Sequence, residues 1–283
     1  MTWLTEPFSY AFMRDAYLIA VFFSIPCAML SCFLVLKGWS LMGDAVSHAV
    51  FPGIVIAYAI GIPLSVGAFI SGLSAALMTG WLTENSKIKE DTIMGIVFSG
   101  LFGLGLVLFV NIPSDLDLHH TLFGNILGVS RADLLLSGGI GGLVTIVLLV
   151  KWRDLLLFVF DPAQAKTLGL STGLLHYGLL IALALTIVAT LQAAGIILAI
   201  GLLIAPGAIA FLLTRRFGIM MALAVVVTLF AAFAGISISF WIGSDPAPTM
   251  ILVLTMIFIV TFATHVLAWK RSAAATVPGG DQA

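Results

Sequence analysis

The apolar stretch SLMGDAVSHAVFPGIVIAY, Ser40 to Tyr58, carries two ionisable side chains, Asp44 and His48. Four residues apart, they share one face of a helix, and Ser47 lies beside them, three residues from Asp44. A carboxylate, an imidazole and, more weakly, a hydroxyl are ligand types for a divalent cation. One helix face offers only two strong ligands, whereas such ions take about four to six. If two copies of the chain, or this chain and a similar one, met across a pore, two carboxylates and two imidazoles would complete the ring. That mixed oxygen and nitrogen set suits Mn²⁺, Fe²⁺ or Zn²⁺, while histidine argues against Mg²⁺ and Ca²⁺, and the lack of a thiolate at the pair argues against Cu(I). So tolerant a ring would also let the ion leave, as conduction requires. The alternative is a structural hydrogen bond between His48 and Asp44 that pins two helices together.

At mid-membrane depth a charged side chain costs at least ~2.5 kcal/mol, so the pair is expected to face a bundle interior or an aqueous path and not lipid. Pro52 and Gly53 follow one turn later. Proline removes a backbone hydrogen bond and glycine weakens a helix, so a bend or break is expected just past the pair, as at the substrate sites of many transporters.

The elements that must position these residues are membrane helices. The chain of 283 residues is 61% hydrophobic and 9% charged, with a mean hydropathy of +1.20, values that only a polytopic membrane protein tolerates. Long apolar runs, without the short alternating segments of a barrel, make it all-α. Hydropathy suggests about nine spans, near 17–36, 43–61, 64–82, 92–111, 134–150, 174–192, 194–214, 219–241 and 250–269. Of the 12 lysines and arginines, Lys37, Lys87, Lys89, Lys151, Arg153, Lys166, Arg215, Arg216, Lys270 and Arg271 fall on one side, and Arg14 and Arg131 on the other. The positive-inside rule makes the first group cytoplasmic, with the N-terminus outside and the C-terminus inside. The first apolar run lacks the start and cleavage site of a signal peptide and is expected to be retained. Cys27 and Cys32 lie in that run and read as buried small hydrophobes. The net charge of -1 and the lack of a basic stripe give no reason to expect nucleic acid.

Two loops stand out. On the outer side, Asn111 to Asp133 carries Asp115, Asp117, His119 and His120, of which Asp117, His119 and His120 are candidates for a metal-collecting vestibule; a plain solvated loop is the alternative. Its LFGNILGV piece could form a short re-entrant or interfacial helix. On the inner side, Lys151 to Thr172 contains Asp161 and Pro162, a helix start, and Gly169, a plausible stop, predicting about two turns of helix over 161–171. Such a helix is either a grip for a partner or a connector. Pro206 and Gly207 in the seventh span match Pro52 and Gly53 in the second, in a span of opposite direction, so both bends are expected to line one cavity. Gly195 and Gly201 offer small surfaces for close helix packing. His176 and His265 are expected at the membrane interface, and Asp245 in a solvated turn. Residues 1–271 are expected to form one transmembrane domain, and 272–283 a disordered tail.

GDAVSHAVFPGIVIAY, LFGNILGV, FDPAQAKTLGLS, LQAAGIILAIGLLIAPGAIAFLL and GISISFWIGSDPAPTMILV occur in one order. Together they resemble the membrane permease subunits of ABC-type manganese, zinc and iron importers, the ABC-3 metal permease family. The likeness runs from roughly Tyr17 to Trp269, and the GDAxSHAxxPG string is its specific part. DLDLHHTLFGNILGV is closer to the manganese and iron branch than to the zinc branch. The resemblance implies a type II ABC importer-like bundle in a bacterial inner membrane and a dimer of permeases, identical or paralogous. It also implies an outer solute-binding protein that delivers the metal, and cytoplasmic ATPase subunits docking on the inner loop, with Asp161, Pro162, Ala165 and Gly169 in the coupling helix. Asp44 and His48, which match the family motif, would coordinate the ion in transit, with Ser47 the weaker candidate. The metal is cargo, and no permanently bound cofactor is expected.

The chain has no GxxxxGK[ST] string, so ATP hydrolysis belongs to another polypeptide and the chain is not expected to be an enzyme. A permease for chelates such as haem or cobalamin, a proton-coupled secondary transporter and an intramembrane hydrolase are the rival classes. The hydrolase would need an HExxH-like set, which does not occur.

Overall fold

A computed structural model describes residues 6, 9–39, 41–111, 124 and 126–275. Its helices are α1 Ala11–Lys37, α2 Met42–Ala49, α3 Phe51–Ile60, α4 Leu64–Asn85, α5 Glu90–Asn111, α6 Arg131–Phe160, α7 Pro162–Thr167, α8 Thr172–Leu213, α9 Phe217–Ile242 and α10 Pro246–Ala275. A 3-10 turn, Ile126–Gly128, precedes α6. The described residues contain no strand.

The first span, α1, is the axis of the bundle. Phe23, Leu30, Phe33 and Leu34 are among its fully buried side chains, and α6, α8 and α9 pack around it. Cys27 and Cys32 are free and buried there, as expected. The Tyr17 hydroxyl lies 2.8 Å from Ser237 Oγ, and its ring stacks on Phe233 at 5.1 Å.

Eight helices, with α2 and α3 taken together, are long and apolar enough to cross a membrane, yet the chain makes nine crossings. The 42-residue α8 would be about 63 Å long if straight, twice the hydrocarbon thickness. It is not straight. Cys27 Sγ lies 3.4 Å from Thr190 Oγ1, and Ser31 Oγ accepts the Gly207 N–H at 2.8 Å. Cys27 and Ser31 are about 6 Å apart along α1, whereas Thr190 and Gly207 would be about 25 Å apart along an unbroken helix. The helix therefore doubles back, at Gly195, whose φ of 77° and ψ of 174° are not helical. The sixth and seventh spans are the two arms of this hairpin. That backbone region is open essentially only to glycine, and Gly124 packs directly on the same turn. Gly195→Ala is expected to lower stability by about 1–3 kcal/mol, read as a drop in Tm of the detergent-solubilised chain with helix content retained. Gly195 thus serves a turn as well as a close approach, that of Gly124, and Gly201 packs closely against Ile251.

The structure lengthens several spans. Residues 151–160, read as loop, continue α6 because Leu155, Phe158 and Val159 are buried on one face and Lys151 pairs with Asp154 at 3.1 Å. The helix ends only at Asp161, ahead of Pro162. α10 continues through Ala275, into the tail read as disordered. The bundle has one basic end, where Phe33 meets Phe217 at 4.9 Å and Lys37 sits 4.6 Å over the Phe158 ring. The helix directions bring the ten grouped lysines and arginines to that end, and Arg14 and Arg131 to the opposite one.

Candidate metal site and coupling helix

Asp44 and His48 lie on α2, the first half of the second span. His48 Nε2 is 3.3 Å from Asp44 Oδ1, and the two side chains are 27% and 39% exposed. On the α5 side His48 meets the Phe98 ring at 5.1 Å and, edge-on, Phe102 at 5.5 Å. His48 Nδ1 is buried and has no hydrogen-bond partner. The face carrying the pair is only partly covered by the described residues: Phe51 and Pro52, one turn further on, are buried, whereas Leu41, one turn before, is exposed. A carboxylate left on a lipid-facing surface is costly, so the geometry calls for something that covers this face. No group of three or more His, Cys, Asp or Glu forms among the described residues; Asp44 and His48 stand together as a pair.

Ser47 is fully buried, and its hydroxyl donates to the Gly43 carbonyl at 2.6 Å. It stands beside the pair in sequence but is committed to its own helix.

The expected disturbance falls at Val50, between α2 and α3, where the hydrogen-bond ladder is interrupted while Val50 itself keeps a helical φ of -67° and ψ of -27°. Pro52 has no N–H to give to the carbonyl of His48, its regular partner one turn earlier. The Ser71 hydroxyl meanwhile donates to the Ala49 carbonyl at 2.6 Å. Gly53 acts differently from the weakening expected of it. It crosses Gly67 of α4 so closely that a methyl on either would overlap the other's carbonyl oxygen. This backbone-to-backbone crossing fixes α3, and with it the height of the pair. Pro206 and Gly207 do not share a cavity with Pro52 and Gly53, contrary to expectation. They are buried against α1, where Ser31 accepts the Gly207 N–H and donates to the Ile204 carbonyl at 3.2 Å. The seventh span does touch the second: a methyl at Gly43 would lie 3.1 Å from Leu203 Cδ1.

At the basic end, Asp161 Oδ1 caps α7 by accepting the Gln164 N–H at 2.9 Å. Pro162 occupies the first turn, and Gly169 takes the left-handed φ of 81° that ends the motif. The helix is six residues long, shorter than 161–171. Ala165 is fully buried and roots it, whereas Leu168 is 66% exposed. α7 is thus a rigid knob with an apolar tip. Next to it lies a cluster the sequence did not reveal. His176 lies at the basic end of its span, the edge expected for it, beside Lys37 and Glu84, and is buried there; its ring meets Trp39 at 5.4 Å and Phe158 at 6.1 Å. His265 is exposed on α10, and Asp245 is exposed in its turn. Asp115, Asp117, His119 and His120 lie outside the described residues.

A nine-crossing helical bundle with an intramembrane aspartate and histidine pair and a capped knob at its basic end defines a transport protein of the membrane. The chain belongs to the ABC 3 transport family, whose profile matches residues 9–265. It is 52% identical over 257 residues to the chelated iron transport system membrane protein YfeD of Yersinia pestis, covering 91% of this chain and 86% of that one. It is 46% identical over 258 residues to the manganese transport system membrane protein MntB of a Synechocystis species, covering 91% and 84%. Among solved structures it resembles PsaBC from Streptococcus pneumoniae, seen in complex with Fab, with a TM-score of 0.81 and 32% identity over 92% of this chain and 94% of that one. The chain is a multi-pass membrane permease.

Proposed function

We propose that this chain is the permease subunit of an ATP-driven importer that carries a bare divalent transition metal, Mn²⁺ in the first place and Fe²⁺ or Zn²⁺ after it, into a bacterial cytoplasm. One observation carries the reading: Asp44 and His48 in contact on a partly exposed face of the second span, beside a buried His48 Nδ1 without a partner. A second permease, identical or paralogous, laid on this face would remove both polar groups from lipid and bring the ligands to two carboxylates and two imidazoles. Alternation of the two permeases, driven by ATPase subunits gripping α7, would open this ring to one side and then to the other. The basic end is then cytoplasmic, and an outer solute-binding protein delivers the metal at the opposite end, where Asp117, His119 and His120 remain candidates for a vestibule. Carboxylate oxygens and imidazole nitrogens accept Mn²⁺, Fe²⁺ and Zn²⁺ alike, and the names of the manganese and iron relatives put the first two ahead.

The test is uptake into vesicles holding the permease with its ATPase, supplied with radiolabelled manganese against unlabelled iron and zinc. ATP-dependent, vanadate-sensitive uptake in which manganese and iron compete with each other more strongly than zinc is expected. Uptake driven by a proton gradient without ATP would replace this reading with a secondary transporter. The word chelated in the name of the Yersinia pestis relative keeps a chelate cargo in view. Such a cargo needs no inner-sphere ligands and would survive loss of the pair.

A further inference from the structure

One cleft in the described structure is lined by neither Asp44 nor His48. It measures about 750 Å³ and opens at the basic end, among the ends of α1, α6, α8, α9 and α10. Leu36, Leu156, Phe160, Phe211, Phe217 and Met220 form apolar walls. Its ionisable lining residues are Arg215 and His265, both exposed, and no carboxylate lines it. Arg216 is exposed next to Arg215, and neither arginine makes an ion pair among the described residues. A third cation approaches from α6, where Arg153 lies 5.3 Å over the Trp152 ring, itself stacked on Phe217 at 6.1 Å. The flanking helices α6 and α10 are among the least buried of the long helices, and they are not the helices that carry Asp44 and His48. The cleft therefore opens at the periphery of the bundle, at the level where apolar chains give way to headgroups.

We propose that this cleft is a binding site for an anionic phospholipid, with acyl chain against the phenylalanines and phosphate beside Arg215. The chemistry selects this occupant. Uncompensated cations at the mouth of an apolar slot match an anionic headgroup on a hydrocarbon tail, whereas a soluble anion would gain nothing from the walls. A zwitterionic lipid would fill the slot but bring a cation of its own toward the arginines. The inference rests on the membrane placement alone and stands or falls apart from the metal reading.

Native mass spectrometry of the full chain tests it, with the detergent-solubilised protein offered phosphatidylglycerol and phosphatidylcholine of identical acyl chains. Phosphatidylglycerol is expected to be retained preferentially. Arg215→Ala is expected to weaken that retention about fivefold, the effect of one cation near an anionic surface, and Arg215→Glu to abolish the preference. Arg131→Ala, at the opposite end, should change nothing, and inorganic phosphate should not displace the lipid. Equal retention of the two lipids, or undiminished preference in Arg215→Ala, overturns the proposal. Displacement by phosphate alone would reduce the site to an anion site. Loss of the lipid when the ATPase assembles would give the cleft to that protein. Each of these last two outcomes also overturns it.

Discussion

Asp44→Ala is expected to cut metal uptake by at least about a hundredfold while leaving the permease folded. Loss of an outer-shell partner already costs metal sites roughly 10- to 100-fold, and Asp44 is proposed as a direct ligand. In a dimer of identical chains the substitution removes two carboxylates and leaves only imidazoles, too few donors for Mn²⁺. His48→Ala is expected to act comparably, and Asp44→Glu to retain part of the activity, since the carboxylate survives at a changed reach. Stability should respond in the opposite sense from transport. The pair is partly exposed, so removing the carboxylate takes away a group that is costly near lipid, and Tm should hold or rise. Uptake of radiolabelled manganese in reconstituted vesicles, beside a thermal unfolding curve, separates the two effects. Normal transport by an Asp44→Ala, His48→Ala double variant would end the metal-relay reading and favour a chelate channel. If the partner permease is a paralogue, the single substitution should leave one carboxylate in place and a smaller loss, so the size of the effect also reports on the dimer.

How much of this was legible in the sequence depended on how local each cause is. The spans were readable because crossing hydrocarbon takes about 20 apolar residues, and the α7 knob because Asp161, Pro162 and Gly169 act on backbone within a turn of themselves. The pair was readable because residues four apart must share a helix face. What the pattern could not show was the neighbour. Gly53 looked like a helix weakener because its counterpart Gly67 is identifiable only once α3 and α4 cross. Residues 151–160 looked like loop because charges open the segment, while the burial of Leu155, Phe158 and Val159 that sustains the helix comes from other spans. The depth of His176 was legible from its distance along the helix, and its burial under Trp39 and Phe158 was not. For the pair itself, the spacing shows two polar side chains on one face and the structure their contact and partial exposure, while the proposed covering partner rests on the cost of leaving a carboxylate beside lipid.

The second large effect is expected at α7, where the chain meets the proposed source of energy. Leu168→Glu is expected to reduce ATP-dependent uptake to near background with the permease folded and the contact between Asp44 and His48 intact. Leu168 is a large apolar side chain, mostly exposed at the tip of a helix whose other end is fastened by the Asp161 cap and by buried Ala165. Exposure means that the glutamate meets no clash and loses no packing within the chain, so a transport defect must arise where another protein fits over the knob. There, an apolar anchor replaced by a charge brings a desolvation cost that interface rims tolerate and interface centres do not. The cap offers an independent variant. Asp161→Ala removes the acceptor of the Gln164 N–H and should cost about 1 kcal/mol of local helix stability, enough to loosen the knob without unfolding the bundle. It should give a graded loss of uptake and not an abolished one. Three measurements separate coupling from damage: co-purification of the ATPase, ATP hydrolysis by the assembled complex, and metal binding by the outer delivery protein. Leu168→Glu should lose the first, return the second to the rate of the isolated ATPase, and leave the third unchanged. Full uptake by Leu168→Glu would make α7 a mere connector and would require the ATPase to grip the bundle elsewhere.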